Sequence, residues 1–137
     1  MKQIDWLFFD VGSTLVNEEK AYQERIKQAL ADTNISYAAF YQTMIHYFME
    51  NKKGDVEALK YYGLKCPSWK SDLETLYPGC KHVLKTLHSH YKIGILANQL
   101  PNLLARLRNF GIDSYIDLII SSADVGLAKP NLAIFKL

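Results

Sequence analysis

The hydrophobic and polar positions of the chain form blocks whose period changes several times. The first block is an uninterrupted apolar run, Trp6-Leu7-Phe8-Phe9, which ends at Asp10 and a polar turn. Such a run predicts a buried strand that stops abruptly at its carboxyl end. Apolar runs at residues 91–97 and 115–120 predict a second and a third strand, and each of them also ends in polar residues.

Helical periodicity fills most of the chain between the predicted strands. Ser36 and Pro101 stand where helix-starting residues are expected, and Gly63 stands where a helix would close. Apolar residues three and four positions apart predict helices over residues 18–31, 37–50, 55–62, 80–90, 101–110 and from 129 onward. Because strands and helices alternate in the later part of the chain, a parallel sheet with right-handed crossovers is expected.

These elements predict an α/β fold whose core is a three-layer, Rossmann-like parallel sheet. Residues 16–76 show helical patterns alone, and Tyr77-Pro78-Gly79 marks the turn where the strand and helix alternation resumes. The predicted organisation is therefore a core formed by residues 1–15 and 77–137, with residues 16–76 as an inserted helical block.

Composition and charge narrow the classes of function. The formal net charge of the 137 residues is +2, with Lys and Arg scattered along the predicted helices, so a nucleic-acid partner is not expected. No apolar run reaches the roughly 18 residues of a membrane span, and an acid interrupts the N-terminal region where a signal peptide would be apolar. A cytoplasmic protein without membrane contact is predicted. Cys66 and Cys80 are expected to be free thiols.

Asp10 is the first candidate for chemistry because it follows a buried strand. Ligands of open parallel sheets bind beyond the carboxyl ends of the strands. If the three strands are parallel neighbours, their ends gather Asp10, Asn98 and Lys129 around one crevice. A carboxylate, a turn rich in N–H donors and a cation suit phosphoryl transfer. The alternative for Asp10 is a turn residue that hydrogen-bonds the next backbone amides.

Three segments resemble the motifs of the haloacid dehalogenase (HAD) superfamily of hydrolases. They are Phe8-Phe9-Asp10-Val11-Gly12-Ser13-Thr14-Leu15, Ile95-Leu96-Ala97-Asn98 and Gly126-Leu127-Ala128-Lys129-Pro130-Asn131-Leu132-Ala133-Ile134-Phe135. The helical block at 16–76 falls where this family inserts a helical cap. The resemblance implies a Mg²⁺-dependent phosphatase that acts on a small phosphorylated metabolite through an aspartyl-phosphate intermediate.

The resemblance also implies roles for single residues. Asp10 would be the nucleophile and, together with the backbone carbonyl of Gly12, a metal ligand. Lys129 would be a catalytic residue that offsets the negative charge of Asp10 and of the phosphoryl group. The expected phosphate-binding residues are Ser13, Thr14, Ala97 and Asn98.

Three departures from the family pattern bear on activity. Gly12 stands where the family's phosphatases usually carry a second Asp, the general acid and base, and such catalysis contributes about 10²–10⁴-fold. Ala97 lacks the hydroxyl of the usual Ser or Thr. The acidic fourth motif is not found before Leu137. Weakly held Mg²⁺ and a sheet that is incomplete beside the first strand are therefore expected.

These departures keep other hypotheses open. The chain could be a non-catalytic or truncated HAD-like module that binds a phosphate ligand or a protein partner. A homo-oligomer could cover the exposed edge of the first strand. A phospho-accepting receiver domain fits less well, because a receiver needs an acidic pair after its first strand and would not carry a long helical insert.

Overall fold

The computed structural model describes residues 3–129 and 131–136. The chain divides into two compact units, one formed by Met1–Asn17 with Thr75–Leu137 and the other by Glu18–Glu74. The second unit is two residues narrower at each end than the predicted helical block. The reason is that Val16–Asn17 pairs with Thr75–Leu76 as two short antiparallel strands, which the helical periodicity did not reveal.

Strands and helices occur in the order expected for an α/β fold. Short 3₁₀ helices occur at Ser71–Leu73, Asp113–Tyr115 and Leu132–Lys136. The strands and α-helices are β1 (Trp6–Phe9), β2 (Val16–Asn17), α1 (Glu19–Leu30), α2 (Tyr37–Met49), α3 (Gly54–Tyr61), β3 (Thr75–Leu76), α4 (Cys80–His88), β4 (Lys92–Ala97), α5 (Leu103–Asn109), β5 (Leu118–Ser121) and α6 (Ser122–Val125). None of the described helices is long and apolar enough to cross a membrane.

The first unit is built on a parallel sheet in the order β1-β4-β5. Phe9 pairs with Ile95, and Ile95 pairs with Ile119, so the three strands run side by side and end at the same edge of the sheet. The predicted α/β fold class is confirmed. The sheet thus brings the segments that follow β1, β4 and β5 to one edge.

One face of the sheet is buried against two helices. Alternate residues of β4 are fully buried because successive side chains of a strand point to opposite faces. The buried cluster joins Ile93, Ile95 and Ala97 of β4 to Leu84 of α4 and to Leu103 and Leu107 of α5.

The aromatic side chains of β1 are exposed. Trp6 is 37% exposed and Phe8 53% exposed, and their rings stack with centroids 5.7 Å apart. The ring of Phe8 lies over Gly94, where a Cβ atom would come within 2.4 Å of it. Among the described strands β1 lies at a sheet edge, and exposed apolar edges favour association. A homo-oligomer that covers this edge stays a prediction.

The helical unit packs α1, α2 and α3 around a second buried cluster, formed by Ile26, Phe40, Met44, Ala58 and Leu59. Helix α2 of this unit begins at the residue that the sequence predicts. The hydroxyl of Ser36 accepts a hydrogen bond of 3.1 Å from the amide of Ala39, as expected for a residue that caps a helix.

Several predicted boundaries differ from the structure. The third strand begins at Leu118 rather than at residue 115, because Asp113–Tyr115 form a 3₁₀ helix. Helix α5 begins at Leu103 rather than at Pro101, after Asn102 with a left-handed φ of 64°. The exit segment of the third strand, expected to be a loop, contains α6, and the last described element is a 3₁₀ helix. Pro130, predicted to open that helix, lies outside the described residues.

Candidate active site

Asp10 lies at the carboxyl end of β1, directly before a turn whose backbone groups hydrogen-bond to one another. The carbonyl of Val11 accepts hydrogen bonds from the amides of Thr14 (3.2 Å) and Val16 (3.0 Å). Ser13 has a left-handed φ of 59°, and its amide donates to the carbonyl of Val16 at 2.8 Å. Because these amides bond within the turn, Ser13 and Thr14 would contact a ligand through their exposed side chains.

Asp10 and Lys129 form an ion pair across this edge of the sheet. The Nζ of Lys129 lies 3.3 Å from Oδ1 of Asp10, and the two side chains are 28% and 45% exposed. An exposed ion pair contributes about 0–1 kcal/mol to stability. An anionic ligand can therefore separate this pair at a small cost in free energy, and both groups are accessible to it.

Asn98 directly follows β4 and bonds to the main chain of Lys129 at two points. Its Oδ1 accepts from the Lys129 amide at 2.8 Å, and its Nδ2 donates to the Lys129 carbonyl at 3.0 Å. The two contacts fix the orientation of the Asn98 side-chain amide, because its oxygen can only accept and its nitrogen can only donate. The segment after β4 is thus tied to the segment that carries Lys129.

A second set of contacts joins the same two segments next to the first. The amide of Gln99 donates to Oγ of Ser122 at 3.0 Å. Arg106 of α5 then donates to Oε1 of Gln99 at 3.0 Å and to the carbonyl of Leu100 at 2.9 Å. This set holds the backbone that follows Asn98 independently of Lys129.

Ala97 ends β4 and pairs with Ser121 of β5. Both residues are 0% exposed, so the methyl group of Ala97 faces the interior. The hydroxyl of Ser121 has no hydrogen-bond partner among the described residues. A contribution of Ala97 to ligand binding would therefore come from its main chain.

The oxygen donors for a metal ion at this edge are few. The Asp10 carboxylate and the Gly12 carbonyl are the hard oxygen ligands that Mg²⁺ prefers. Within residues 3–129 and 131–136, no group of three or more His, Cys, Asp or Glu side chains could hold a metal ion. The donor chemistry fits Mg²⁺, but with a small number of protein ligands.

The structure therefore brings together three of the predicted site residues, Asp10, Asn98 and Lys129. Sequence reasoning missed the contacts of Gln99 and Ser122 that support them. Polar residues directly after β4 and β5 were the available signal, but their partners lie far apart in the chain and cannot be assigned from sequence.

Comparisons with known proteins give a consistent picture. The family model described as haloacid dehalogenase-like hydrolase matches residues 4–137. The chain is 26% identical to pyrimidine 5'-nucleotidase YjjG from Escherichia coli (strain K12), over 96% of this chain and 68% of that protein.

Two solved structures share the fold. The HAD-hydrolase YfnB from Bacillus subtilis bound to magnesium has a TM-score of 0.65 and 21% identity, over 98% of this chain and 71% of that one. A predicted phosphoglycolate phosphatase from Haemophilus somnus 129pt has a TM-score of 0.62 and 21% identity, over 99% and 70%. The chain thus spans about 70% of the length of these relatives.

Proposed function

Because the chain belongs to the haloacid dehalogenase-like hydrolase family, we propose that it hydrolyses a small phosphate ester with Asp10 as the nucleophile. The observation that carries this proposal is the ion pair of 3.3 Å between Asp10 and Lys129 at the carboxyl edge of the parallel sheet. A carboxylate nucleophile beside a cation is the arrangement that attack on an anionic substrate requires.

Asp10 would attack the phosphorus atom of the ester. A bond would form between a carboxylate oxygen of Asp10 and phosphorus as the bond from phosphorus to the leaving oxygen breaks. Water would then hydrolyse the aspartyl phosphate, which releases phosphate and restores the carboxylate. The ammonium group of Lys129 would offset the repulsion between Asp10 and the substrate and stabilise the charge of the phosphoryl oxygens. The hydroxyls of Ser13 and Thr14 are further donors to those oxygens.

The Asp10 carboxylate and the Gly12 carbonyl would hold Mg²⁺, which would supply further positive charge beside the phosphate. With these two ligands from the described part of the chain, the affinity for Mg²⁺ would be weak.

Gly12 decides which esters suit the site. A side chain at this position could protonate the leaving oxygen, and glycine has none. Esters of acidic alcohols and phenols, whose oxygen leaves without a proton, would therefore react faster than alkyl esters. The similarity to a pyrimidine 5'-nucleotidase makes nucleoside monophosphates a natural class to test beside simple phosphate esters.

The same glycine favours a second candidate function, the displacement of halide from a small 2-haloacid. A halide ion leaves without a proton, so the reaction has no need of a general acid at position 12. Asp10 would form an ester bond to carbon as the bond from carbon to halogen breaks, and water would hydrolyse the ester. Release of chloride from 2-chloropropionate, without release of phosphate from esters, would select this function.

The comparisons do not favour a non-catalytic module, and a cytoplasmic location stays a prediction.

The proposed function is tested by activity of the 137-residue chain. We expect release of p-nitrophenol from p-nitrophenyl phosphate in the presence of Mg²⁺, and a much lower rate in EDTA. Asp10→Asn should abolish the activity, because an amide is a poor nucleophile. Asp72→Asn is the matched control, since Asp72 is exposed and has no hydrogen-bond or ion-pair partner among the described residues. Equal rates in the wild type and Asp10→Asn would refute the assignment.

A further inference from the structure

We propose that Asn98 is a positioning residue, which holds the main chain of Lys129 so that the ammonium group of Lys129 reaches Asp10. The catalytic consequence rests on the proposed function. The contact itself can be tested without any activity. This role differs from the phosphate contact that the family resemblance implies for Asn98.

The first observation is that both polar atoms of the Asn98 side chain bond to one residue. Oδ1 accepts from the Lys129 amide at 2.8 Å, and Nδ2 donates to the Lys129 carbonyl at 3.0 Å. Both distances lie in the range of well-formed hydrogen bonds. A single bond leaves the bonded peptide free to turn about it, whereas two bonds on either side of one Cα fix both position and direction.

The second observation is that Lys129 lies in a segment without regular structure. The described residues 127–129 belong to neither a helix nor a strand. The hydrogen bonds that define helices and sheets therefore do not hold the Lys129 main chain in place. Asn98, by contrast, directly follows β4, whose central residues are fully buried. We call the two hydrogen bonds between the Asn98 side chain and the Lys129 main chain the Asn98 clamp. The clamp ties the segment that carries Lys129 to the end of β4, which the sheet holds in place.

The third observation is geometric. Lys129 makes the Asn98 contacts with its main chain and the Asp10 contact with its side chain. A lysine side chain has four rotatable bonds, so its ammonium group can occupy many positions unless its main chain is fixed. Fixing the main chain restricts those positions to the ones near Asp10. Asn98 thus acts on the reaction through Lys129 rather than on the substrate.

The neighbouring contact between Gln99 and Ser122 provides a matched control. It joins the same two segments, but the bonded amide is that of Gln99, and the hydrogen bonds and ion pair found for Lys129 among the described residues are to Asn98 and Asp10. Ser122→Ala removes both hydrogen bonds of the Ser122 hydroxyl, the one it accepts from the Gln99 amide at 3.0 Å and the one it donates to the Gln99 carbonyl at 3.4 Å, and it leaves the two Asn98–Lys129 bonds intact. Asn98→Asp keeps the acceptor for the Lys129 amide and loses the donor to the Lys129 carbonyl, so it removes one half of the clamp.

Amide hydrogen exchange, followed residue by residue by NMR, tests the clamp directly. In Asn98→Ala the exchange rate of the Lys129 amide should rise about two- to tenfold, the factor that corresponds to the loss of one net hydrogen bond. In Asn98→Asp the same amide should stay protected. In Ser122→Ala the Gln99 amide should exchange faster while the Lys129 amide does not. An unchanged Lys129 amide in Asn98→Ala would overturn the proposal, and so would equal acceleration of all amides in β4 and β5.

Steady-state kinetics test the consequence for the reaction. A positioning role predicts that Asn98→Ala lowers kcat about tenfold with little change in KM, because transition-state stabilisation by Lys129 is what is lost. A phosphate-binding role predicts the reverse, a higher KM with kcat maintained, and this result would overturn the proposal. Activity that survives Asp10→Asn would refute the proposed function alone, because the exchange measurement on Lys129 would still decide the role of Asn98.

Discussion

Lys129 and Asp10 lie near opposite ends of the chain, yet the Nζ of Lys129 is 3.3 Å from Oδ1 of Asp10. The parallel sheet makes this contact possible because it brings the segments after β1 and β5 to one edge. Both side chains are partly exposed, so the pair contributes little to stability. Its main effect is to place a cation beside the carboxylate that we propose as the nucleophile.

The first prediction concerns the charge of Lys129. Lys129→Met keeps the aliphatic chain and removes the ammonium group, so kcat for p-nitrophenyl phosphate should fall about 10²–10³-fold, the usual loss for one group that stabilises transition-state charge. The unfolding temperature should change little, because the ion pair is exposed. Lys136→Met is the control, since Lys136 is an exposed lysine of the same terminal region. Equal losses in the two variants would contradict the prediction.

The second prediction concerns the missing general acid. Gly12 is not among the described glycines with positive φ, so its backbone conformation does not itself exclude a side chain. Gly12→Asp should raise the rate on an alkyl phosphate by about 10²-fold, because a carboxylic acid can protonate the leaving oxygen. The rate on p-nitrophenyl phosphate should change much less, since nitrophenolate leaves without a proton.

Gly12→Asn is the control that distinguishes proton donation by the new side chain from an effect of its size and shape. The amide has nearly the same size as the carboxyl group but cannot act as a general acid, so Asn at this position should leave the ratio of alkyl to aryl rates unchanged. A similar gain in Gly12→Asn and Gly12→Asp would show that the side chain acts by packing rather than by proton transfer. Both rates can be measured as phosphate release.

The sequence predicted well which residues lie at the carboxyl ends of the parallel strands. The apolar run of β1 and its abrupt end at Asp10 are local signals, and the parallel order of the strands follows from alternation with helices. The position of Lys129 at the same edge then follows from topology. The clamp by Asn98 does not follow, because an Asn after a strand indicates a turn and gives no information on a partner 31 residues away.

Short elements were the part of the fold that the sequence predicted poorly. The strands β2 and β3 have two residues each, too few to show the alternation of apolar and polar residues that indicates a strand. Their pairing joins residues that the whole helical unit separates in the sequence. Tyr115 looked like a strand residue because it is aromatic and precedes an apolar run. The structure places it in a 3₁₀ helix, where its amide donates to the carbonyl of Ile112 at 3.1 Å. The pairing of β2 with β3 thus depends on residues distant in sequence, whereas at Tyr115 a local 3₁₀ hydrogen bond overrides the strand preference.

The third prediction concerns the pH dependence of stability. Asp117 precedes β5, and its Oδ2 accepts a hydrogen bond of 2.8 Å from the amide of Ile93. This bond, with a smaller contribution from His88 at 3.3 Å, lowers the pKa of Asp117 below its usual value. A lowered pKa in the folded state means that Asp117 stabilises the fold above its usual pKa of about 3.9 and loses this effect as the pH falls through the lowered value.

Asp117→Asn should therefore lower the unfolding temperature clearly at pH 6, and the difference from the wild type should shrink as the pH approaches 3. Asp124→Asn is the control, because Asp124 is exposed and has no partner among the described residues. Thermal unfolding followed by circular dichroism at a series of pH values measures both. A difference between Asp117→Asn and the wild type that is the same at pH 6 and pH 3 would contradict the proposed origin of the effect.

The fourth prediction concerns a buried ion pair of the helical unit. Arg25 of α1 and Asp55 of α3 lie 2.7 Å apart, with side chains only 13% and 8% exposed, and the guanidinium group of Arg25 lies over the ring of Trp69 at 4.9 Å. Asp55→Asn removes the carboxylate that is hydrogen-bonded to the buried Arg25 guanidinium, so it should lower the free energy of unfolding by about 3 kcal/mol. The double variant Arg25→Met with Asp55→Leu should recover most of this loss, because apolar groups of similar volume need no counter-charge.

Lys60→Met, which breaks the exposed pair between Lys60 and Glu57 at 3.5 Å, is the control and should change the free energy of unfolding by at most about 0.5 kcal/mol. Urea unfolding followed by Trp69 fluorescence in a Trp6→Phe background reports on this unit, since the chain has two tryptophans. If Asp55→Asn costs no more than Lys60→Met, the pair does not hold α1 against α3.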